Sequence, residues 1–342
     1  MDTFLQLSPE RRRAACLQVD EQMHLQALSV EKDFWVCWTL QALFSMAGIG
    51  PYITFKGGTS LSKAWQLIQR FSEDIDLIID KKVLGFGDNN SPDRAPSKKQ
   101  RKIRLQSLMN AGRNWIQEIV QPTFEKHLKR TLGESDWKLE VDSDMPDGQC
   151  LLFHYPSVFR EGEAGYIRPV VKIEFGARSD DWPHSECVIK PYIAECFPQL
   201  FSNATFPVNV LAAERTFWEK ACLLHEETFR PIDKPRKLRM ARHYYDLWSL
   251  LKAGVGVSAL SNESLFLRVV EHREIFFSYS WVDYSTHRRG TFRLVPFEYQ
   301  LEEWQRDYKA MTGPMFFGEV PSFDEILETV GRFEKEFNLM SS

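Results

Sequence analysis

One stretch of the chain, residues 52–80, constrains the fold more than any other, because it joins two short apolar runs through a glycine pair and a helical segment. The run at 52–55 predicts a strand, and Gly57 and Gly58 force a tight turn after it. We expect a helix over residues 61–68 next. The free backbone N–H groups at its first turn would face the turn, and an anion is their natural occupant.

Either Thr59 or Ser60 can cap this helix. The second strand, residues 74–80, opens with Asp74 and Asp76, whose side chains project from one face because strand residues alternate. Two carboxylates held this close repel each other, and a hard divalent cation relieves the repulsion. A glycine turn suited to phosphates beside paired carboxylates suited to Mg²⁺ indicates a site for a nucleoside triphosphate.

Each half of this pattern also has an ordinary structural interpretation. A Gly-Gly pair is common in turns, and a D-x-D pair is common on solvated strand edges. The order and spacing favour a functional site, because a strand, Gly-Gly-Thr-Ser, one helix and a D-x-D strand follow one another directly.

The segments KGGTSLSK and RFSEDIDL resemble the first motif of the AbiEii/AbiGii-type nucleotidyltransferases, toxin components of bacterial abortive-infection and toxin–antitoxin systems. The resemblance implies a polymerase-β-like fold. We therefore expect an α+β protein with a mixed sheet and flanking helices in a nucleotidyltransferase domain over residues 1–205. A helical C-terminal domain over residues 206–342 would complete the active-site cleft.

Further site residues follow from the resemblance. Glu174, in the β-rich segment IEFGAR, is the best candidate for a third carboxylate, and Arg178 just beyond it is a possible phosphate contact. A glutamate reaching solvent at a strand end is the alternative. Lys220 and Asp246 fall on the later helical motifs of the family, in NVLAAERTFWEKACLLHEE and KLRMARHYYDLWSLL. An ion pair between two helices is the alternative for these two residues.

The pattern and the resemblance together predict three sets of residues. The predicted catalytic residues are Asp74, Asp76, Glu174, Lys220 and Asp246, of which Asp74, Asp76 and Glu174 would bind Mg²⁺. The predicted nucleotide contacts are Gly57, Gly58, Thr59, Ser60, Lys63 and Arg178. The predicted RNA contacts are Arg236, Lys237, Arg239 and Arg242.

The RNA contacts are drawn from the densest basic stretch of the chain, around residues 231–239. Phosphate contacts supply most of the sequence-independent affinity for a polynucleotide, so this loop is the best candidate for gripping one. Two other features stay open. The basic cluster at 98–104 is either an RNA contact or the solvated face of a helix, and the aromatic segment at 278–296 either stacks unpaired bases or belongs to the core.

Composition narrows the remaining possibilities. A net charge of −4 means that nucleic-acid contacts must come from local basic patches rather than from the overall field. The six cysteines are scattered without a C-x-x-C pair, which argues against zinc. There is no signal-peptide-like segment and no apolar run of about 18 residues, so we expect a cytoplasmic protein without a membrane partner.

The expected function, by the resemblance, is transfer of a nucleoside monophosphate from an NTP to an RNA acceptor, the 3′ end of a tRNA. This modification would block aminoacylation and arrest growth, and the family implies a cognate antitoxin as partner. Two alternatives stay open. One is a regulatory module that binds NTP and Mg²⁺ without transfer, and the other is nucleotidyl transfer to a protein or a small molecule.

Overall fold

The computed structural model describes residues 1–160, 168–312, 315–316 and 318–340. The chain divides into two compact units, the first made of Met1–Ala64 and Phe71–Leu211 and the second of Trp65–Arg70 and Ala212–Ser342. Among the described residues, no helix is long and apolar enough to cross a membrane.

In the described part of the chain, the first unit contains every named strand and seven α-helices. The strands are β1 Ile53–Lys56, β2 Ile75–Ile79, β3 Lys138–Val141, β4 Cys150–His154, β5 Val170–Gly176, β6 His184–Ile189 and β7 Phe206–Leu211. The helices are α1 Asp2–Leu5, α2 Pro9–Met23, α3 Ala27–Ser45, α4 Gly57–Lys63, α5 Lys98–Trp115, α6 Gln121–Leu132 and α7 Tyr192–Cys196. A π-helical turn, Ile116–Val120, joins α5 to α6.

The second unit is helical. Its helices are α8 Ala213–Thr228, α9 Arg242–Lys252, α10 Val255–Leu260, α11 Glu263–Phe276, α12 Leu301–Thr312 and α13 Phe323–Leu339. The short segment Trp65–Arg70 joins this unit although it follows α4 in the chain.

The seven strands form one mixed sheet in the order β3-β4-β5-β2-β1-β7-β6. The pairs β2–β5 and β1–β7 are parallel, and the other four neighbouring pairs are antiparallel. This confirms the predicted α+β fold with a mixed sheet and flanking helices. The acidic strand β2 lies in the middle of the sheet.

The two faces of the sheet differ in chemistry because strand residues alternate. On β5, Val171 and Ile173 are buried, whereas Lys172 and Glu174 on the other face are half-buried. The apolar face packs against helices, with Phe153 of β4 in ring contact with Trp35 and Trp38 of α3. The opposite face therefore carries the charged groups of the sheet.

Helix α3 is buried on almost every side, and its buried residues include three consecutive charged ones. Buried charges need partners. Glu31 accepts hydrogen bonds from Ser157 Oγ at 2.6 Å and from the backbone N–H of Val158 at 2.7 Å. Its carboxylate thus fastens the chain segment that follows β4 to α3.

The next two charges of α3 hold two segments that precede the acidic strand motif in the chain. Lys32 donates to Glu73 at 2.6 Å, and Asp33 pairs with Lys63 at 2.8 Å. Both Asp33 oxygens are engaged, because the second accepts the backbone N–H of Tyr192 at 2.7 Å. Helix α3 therefore fixes the end of α4 and the residue immediately before Asp74.

The prediction of a helix over residues 209–227 is wrong at its start. Residues up to Leu211 belong to β7, and α8 begins at Ala213. In β7 the β-branched residues Val208 and Val210 are buried, with the strand paired to β6 on one side and β1 on the other. Pairing with distant strands and burial therefore determine the secondary structure of this segment, although its local pattern is helical.

Substituting Lys63 by Met leaves the Asp33 carboxylate buried without its counter-charge. We expect the free energy of unfolding to fall by about 3–5 kcal/mol. Lys63→Met combined with Asp33→Asn removes the charge but keeps an acceptor for the Tyr192 N–H, so it should recover much of the loss. Urea unfolding followed by tryptophan fluorescence measures both effects.

A matched control is Lys138→Met, which removes the lysine of an exposed pair with Glu140 on β3. It should change the free energy of unfolding by at most about 1 kcal/mol. Equal losses for Lys63→Met and Lys138→Met would show that the interior pair does not anchor the end of α4.

Candidate active site

The closest approach in the glycine motif is between the backbone of Gly57 and the side chain of Asp76. Gly57 begins α4 directly after β1 and has a φ of +80°, a conformation that favours glycine. Asp76 lies on the antiparallel neighbour β2, in register with Lys56. A Cβ atom at position 57 would lie 2.1 Å from Oδ2 of Asp76. Glycine therefore allows a carboxylate to lie against the start of α4.

Asp76 also faces a second carboxylate across the sheet. It is in register with Glu174 on the parallel neighbour β5, so both side chains project from the charged face. Asp74 lies one residue before β2, and burial, then the negative charges of Glu73 and Glu174, raise the pKa of its carboxyl group. Hard oxygen donors that repel one another have the chemistry that a divalent cation requires.

These carboxylates are not assembled as a ready set of metal ligands. Among the described residues, no three His, Cys, Asp or Glu side chains are grouped so that they could hold a metal ion. The ammonium of Lys172 lies 2.7 Å from Glu174 Oε1 and 3.8 Å from Asp142 Oδ2. Carboxylate oxygens are suitable ligands for Mg²⁺. In this structure the ammonium of Lys172 offsets part of the negative charge of these carboxylates.

The hydroxyls predicted to cap the helix have other partners. Thr59 Oγ1 donates to the carbonyl of Asp74, and Ser60 Oγ donates to the carbonyl of Gly57 at 2.9 Å. Helix α4 begins at Gly57 and ends at Lys63, with Lys56 as its N-cap residue. The prediction of a helix over residues 61–68 capped by Thr59 or Ser60 is therefore wrong. No side chain in the described part of the chain caps α4.

Lys63 is directed into the protein. Its side chain is only 5% exposed, its ammonium pairs with Asp33, and it lies 3.5 Å from the centre of the Tyr192 ring. This placement argues against the predicted direct contact of Lys63 with a phosphate. Arg178 lies in the turn after β5, four residues beyond Glu174, and its predicted phosphate contact stays a prediction.

Lys56 is a residue of the charged face that the motif reasoning missed. Its register with Asp76 places it on the same face of the sheet, and its ammonium donates to Ser179 Oγ at 3.0 Å. A lysine directly before the glycine pair was the available signal. Side chains alternate along a strand, and Phe55 is fully buried. Lys56 therefore projects from the opposite, polar face, which is also the face of Asp76.

The second unit contains a buried cluster of three charges around Asp246. Arg70 donates to both carboxylate oxygens, from Nε to Oδ1 at 2.6 Å and from Nη2 to Oδ2 at 2.8 Å. Lys220, on α8, pairs with Oδ2 at 2.8 Å. The ion pair between helices that was the alternative for Lys220 and Asp246 therefore exists. It is buried and includes a third member, Arg70, which sequence reasoning did not assign.

Burial shapes the charges of this cluster. Burial by itself would raise the pKa of Asp246, but the charges of Arg70 and Lys220 hold it well below its usual range. Burial lowers the pKa of Lys220, and the charge of Asp246 only partly opposes this effect. The side chain of His243 lies beside Lys220, with Nδ1 3.5 Å from Nζ. The pKa of Lys220 in this cluster is therefore below the usual value for a lysine.

The predicted RNA contacts differ in exposure. Arg236 is 6% exposed, pairs with Glu227 and Glu303, and lies 4.2 Å from the ring of Trp304. This burial argues against direct contact of Arg236 with RNA. Lys237 is exposed.

The other two predicted RNA contacts are half-buried. The backbone N–H of Arg239 donates to Asp307 at 2.6 Å, which fixes the end of the basic loop to α12. Arg242 is the first residue of α9. Lys237 is therefore the predicted RNA contact that is best placed to meet a polynucleotide.

Comparisons with known proteins identify a family and a similar fold. A family profile described as nucleotidyl transferase AbiEii toxin, type IV toxin–antitoxin system, matches residues 38–329. No curated protein sequence matches the chain significantly. Among solved structures, MenT4, a nucleotidyltransferase toxin from Mycobacterium tuberculosis H37Rv, is similar, with a TM-score of 0.51 and 15% identity over 98% of this chain and 91% of that chain. At this identity the likeness concerns the fold.

Substituting Gly57 by Ala tests the contact with Asp76. The new Cβ would meet the carboxylate and also occupy a backbone conformation that disfavours alanine. Gly85 has the same φ of +80°, but a Cβ atom there would have nothing within 4 Å, so Gly85→Ala carries only the backbone cost, about 1–3 kcal/mol. We expect Gly57→Ala to lose about 1–3 kcal/mol more in urea unfolding, because of the added steric conflict.

Equal losses for the two alanine variants would contradict the close approach of Asp76 to the Gly57 backbone.

Proposed function

The chain belongs to the AbiEii family of nucleotidyltransferase toxins of type IV toxin–antitoxin systems, and on this basis we propose that it transfers a nucleoside monophosphate from an NTP to RNA. One observation carries the proposal. The carboxylate of Asp76 lies against the backbone of Gly57 at the start of α4 and is in register with Glu174. This arrangement brings the phosphate-binding and acidic parts of the motif together within one unit.

In the proposed site, Asp74, Asp76 and Glu174 hold Mg²⁺. The ion, when bound, neutralises charge on the triphosphate oxygens. The backbone N–H groups of Gly57 and Gly58 at the first turn of α4 would contact the phosphates, and no side chain in the described part of the chain caps that turn. An acceptor hydroxyl forms a new bond to the α-phosphorus while the bond to the β-phosphate breaks, and pyrophosphate leaves.

Lys220 stays a predicted contact of the triphosphate, taken from the family motif; its side chain is 8% exposed and its ammonium pairs with Asp246. A lysine ammonium is a compact point charge that suits phosphate oxygens. Asp246 and Arg70 orient it, because both carboxylate oxygens of Asp246 are engaged in the buried cluster.

The proposed acceptor is the 3′ end of a tRNA, whose modification would block aminoacylation and arrest growth. Membership of a type IV toxin–antitoxin family supports a cognate antitoxin as partner. The exposed Lys237 on the basic loop supports a polynucleotide acceptor, because an exposed ammonium can contact phosphate without distorting the fold.

Incubation with each α-labelled NTP, Mg²⁺ and total tRNA should label the RNA. Asp76→Asn keeps the shape of the side chain but removes the charge, and we expect the transfer rate to fall by at least about 100-fold. Periodate oxidation of the tRNA 3′ terminus should abolish labelling if that end is the acceptor. Gel autoradiography measures all three reactions.

The matched control is Asp136→Asn, an identical change at an exposed position of the same unit, which should transfer at the wild-type rate. Saturable NTP binding without a labelled product would favour the regulatory module. Label that appears on protein or a small molecule instead of RNA would identify a different acceptor.

Reversing charge at Lys237 tests the polynucleotide contact without disturbing a buried ion pair. We expect Lys237→Glu to weaken RNA binding and to lower the slope of log affinity against log salt by about one. NTP binding should be unchanged. Fluorescence anisotropy with labelled tRNA at several salt concentrations measures the slope.

Lys335→Glu makes the same charge change at an exposed position of α13 and serves as the control. Identical salt slopes for Lys237→Glu and the wild type would place the RNA elsewhere.

A further inference from the structure

Lys172 occupies a special position on the charged face of the sheet. The parallel register pairs Ile75 with Ile173 and Asp76 with Glu174, so Asp74 and Lys172, the residues directly before the first of these pairs, continue the same alignment. Lys172 therefore lies next to the strand position of Asp74 and two residues before Glu174. It is the cationic side chain on β5 within the predicted acidic site.

The ammonium of Lys172 interacts with three carboxylates. It pairs with Glu174 at 2.7 Å and lies 3.8 Å from Asp142, the residue that directly follows β3. The positive charge of Lys172 also attracts the negative charge of Asp74. The negative charges of Asp74 and Glu174 repel each other. One positive charge thus offsets repulsion among three carboxylates, which is the task that a divalent cation would perform there.

A second lysine–glutamate pair on the same sheet shows that spacing alone does not create this environment. Lys138 and Glu140 on β3 are also two residues apart and form an ion pair. The Lys138 side chain is 64% exposed, however, and the other partner of Glu140 is His154 rather than a further carboxylate. Lys172 differs because its surroundings are acidic and half-buried.

We propose that Lys172 is a positioning residue whose ammonium balances the acidic face until a divalent cation binds, so that cation binding must displace it from Glu174. The inference rests on the proposed function in assigning cation binding to Asp74, Asp76 and Glu174. Lys172 acts through these carboxylates. It keeps them on one face despite their repulsion, at the cost of weaker cation affinity.

Mn²⁺ is the probe, and the full-length protein without nucleotide is the sample. Electron paramagnetic resonance of free Mn²⁺ gives the dissociation constant for the wild type, Lys172→Met, Lys172→Arg and Lys138→Met. Removing a unit charge near the bound cation should lower the dissociation constant of Lys172→Met about fivefold to tenfold. Lys172→Arg and Lys138→Met should stay close to the wild type.

Thermal unfolding supplies a second readout that an ordinary structural ion pair would not produce. In EDTA, Lys172→Met should melt below the wild type because its carboxylates repel one another, and added Mn²⁺ should close this gap through binding to the folded state. A gap that persists unchanged at saturating Mn²⁺ indicates a purely structural pair and overturns the proposal. Circular dichroism confirms that each variant is folded at the start.

The proposal is also overturned if Lys172→Met binds Mn²⁺ no more tightly than the wild type does. It is overturned as well if neither the wild type nor Lys172→Met binds Mn²⁺. These results are separate from the proposed function, which the transfer assay tests with wild-type protein. Labelled RNA together with unchanged Mn²⁺ affinity in Lys172→Met would retain the transferase and reject the role of Lys172.

Discussion

The contact between the carboxylate of Asp76 and the backbone of Gly57 is the constraint on which the candidate site depends. It requires a residue without a Cβ atom, in a left-handed backbone conformation, at the junction of β1 and α4. The central position of β2 in the sheet then sets the rest of the arrangement, because its parallel partner β5 brings Glu174 alongside Asp76. Two strand pairings and one glycine therefore assemble groups that are about a hundred residues apart in the chain.

Each unit contains buried ion pairs that join segments carrying predicted site residues. In the first, Lys32 and Asp33 of α3 bind Glu73, directly before the acidic motif, and Lys63 at the end of α4. In the second, Asp246 holds Arg70 and Lys220. Burying an ion pair costs desolvation energy that its attraction barely repays, so such pairs are weak evidence for stability. In this protein the pairs fix the positions of the segments that they join. Each partner needs the other, because removing one leaves the other charged and buried.

Local patterns predicted the parts of the fold that depend on local physics. Alternation and glycine turns located β2 and the D-x-D pair, and the motif pointed to the family that the profile match confirms. Sequence reasoning failed where tertiary contacts decide the outcome. Pairing with β1 and β6 makes residues up to Leu211 a strand, and burial turns Lys63 and Arg236 into interior ion-pair partners. The number of charges in a stretch does not reveal which of them have acidic partners elsewhere in the chain.

The most direct test of the account is a structure determined with a non-hydrolysable nucleoside triphosphate and Mg²⁺. We expect triphosphate density at the first turn of α4, beside Gly57 and Gly58, with the cation bound by Asp76 and its neighbouring carboxylates. A nucleotide bound elsewhere, with Asp76 contacting neither the cation nor the phosphates, would contradict the assignment of this face as the active site.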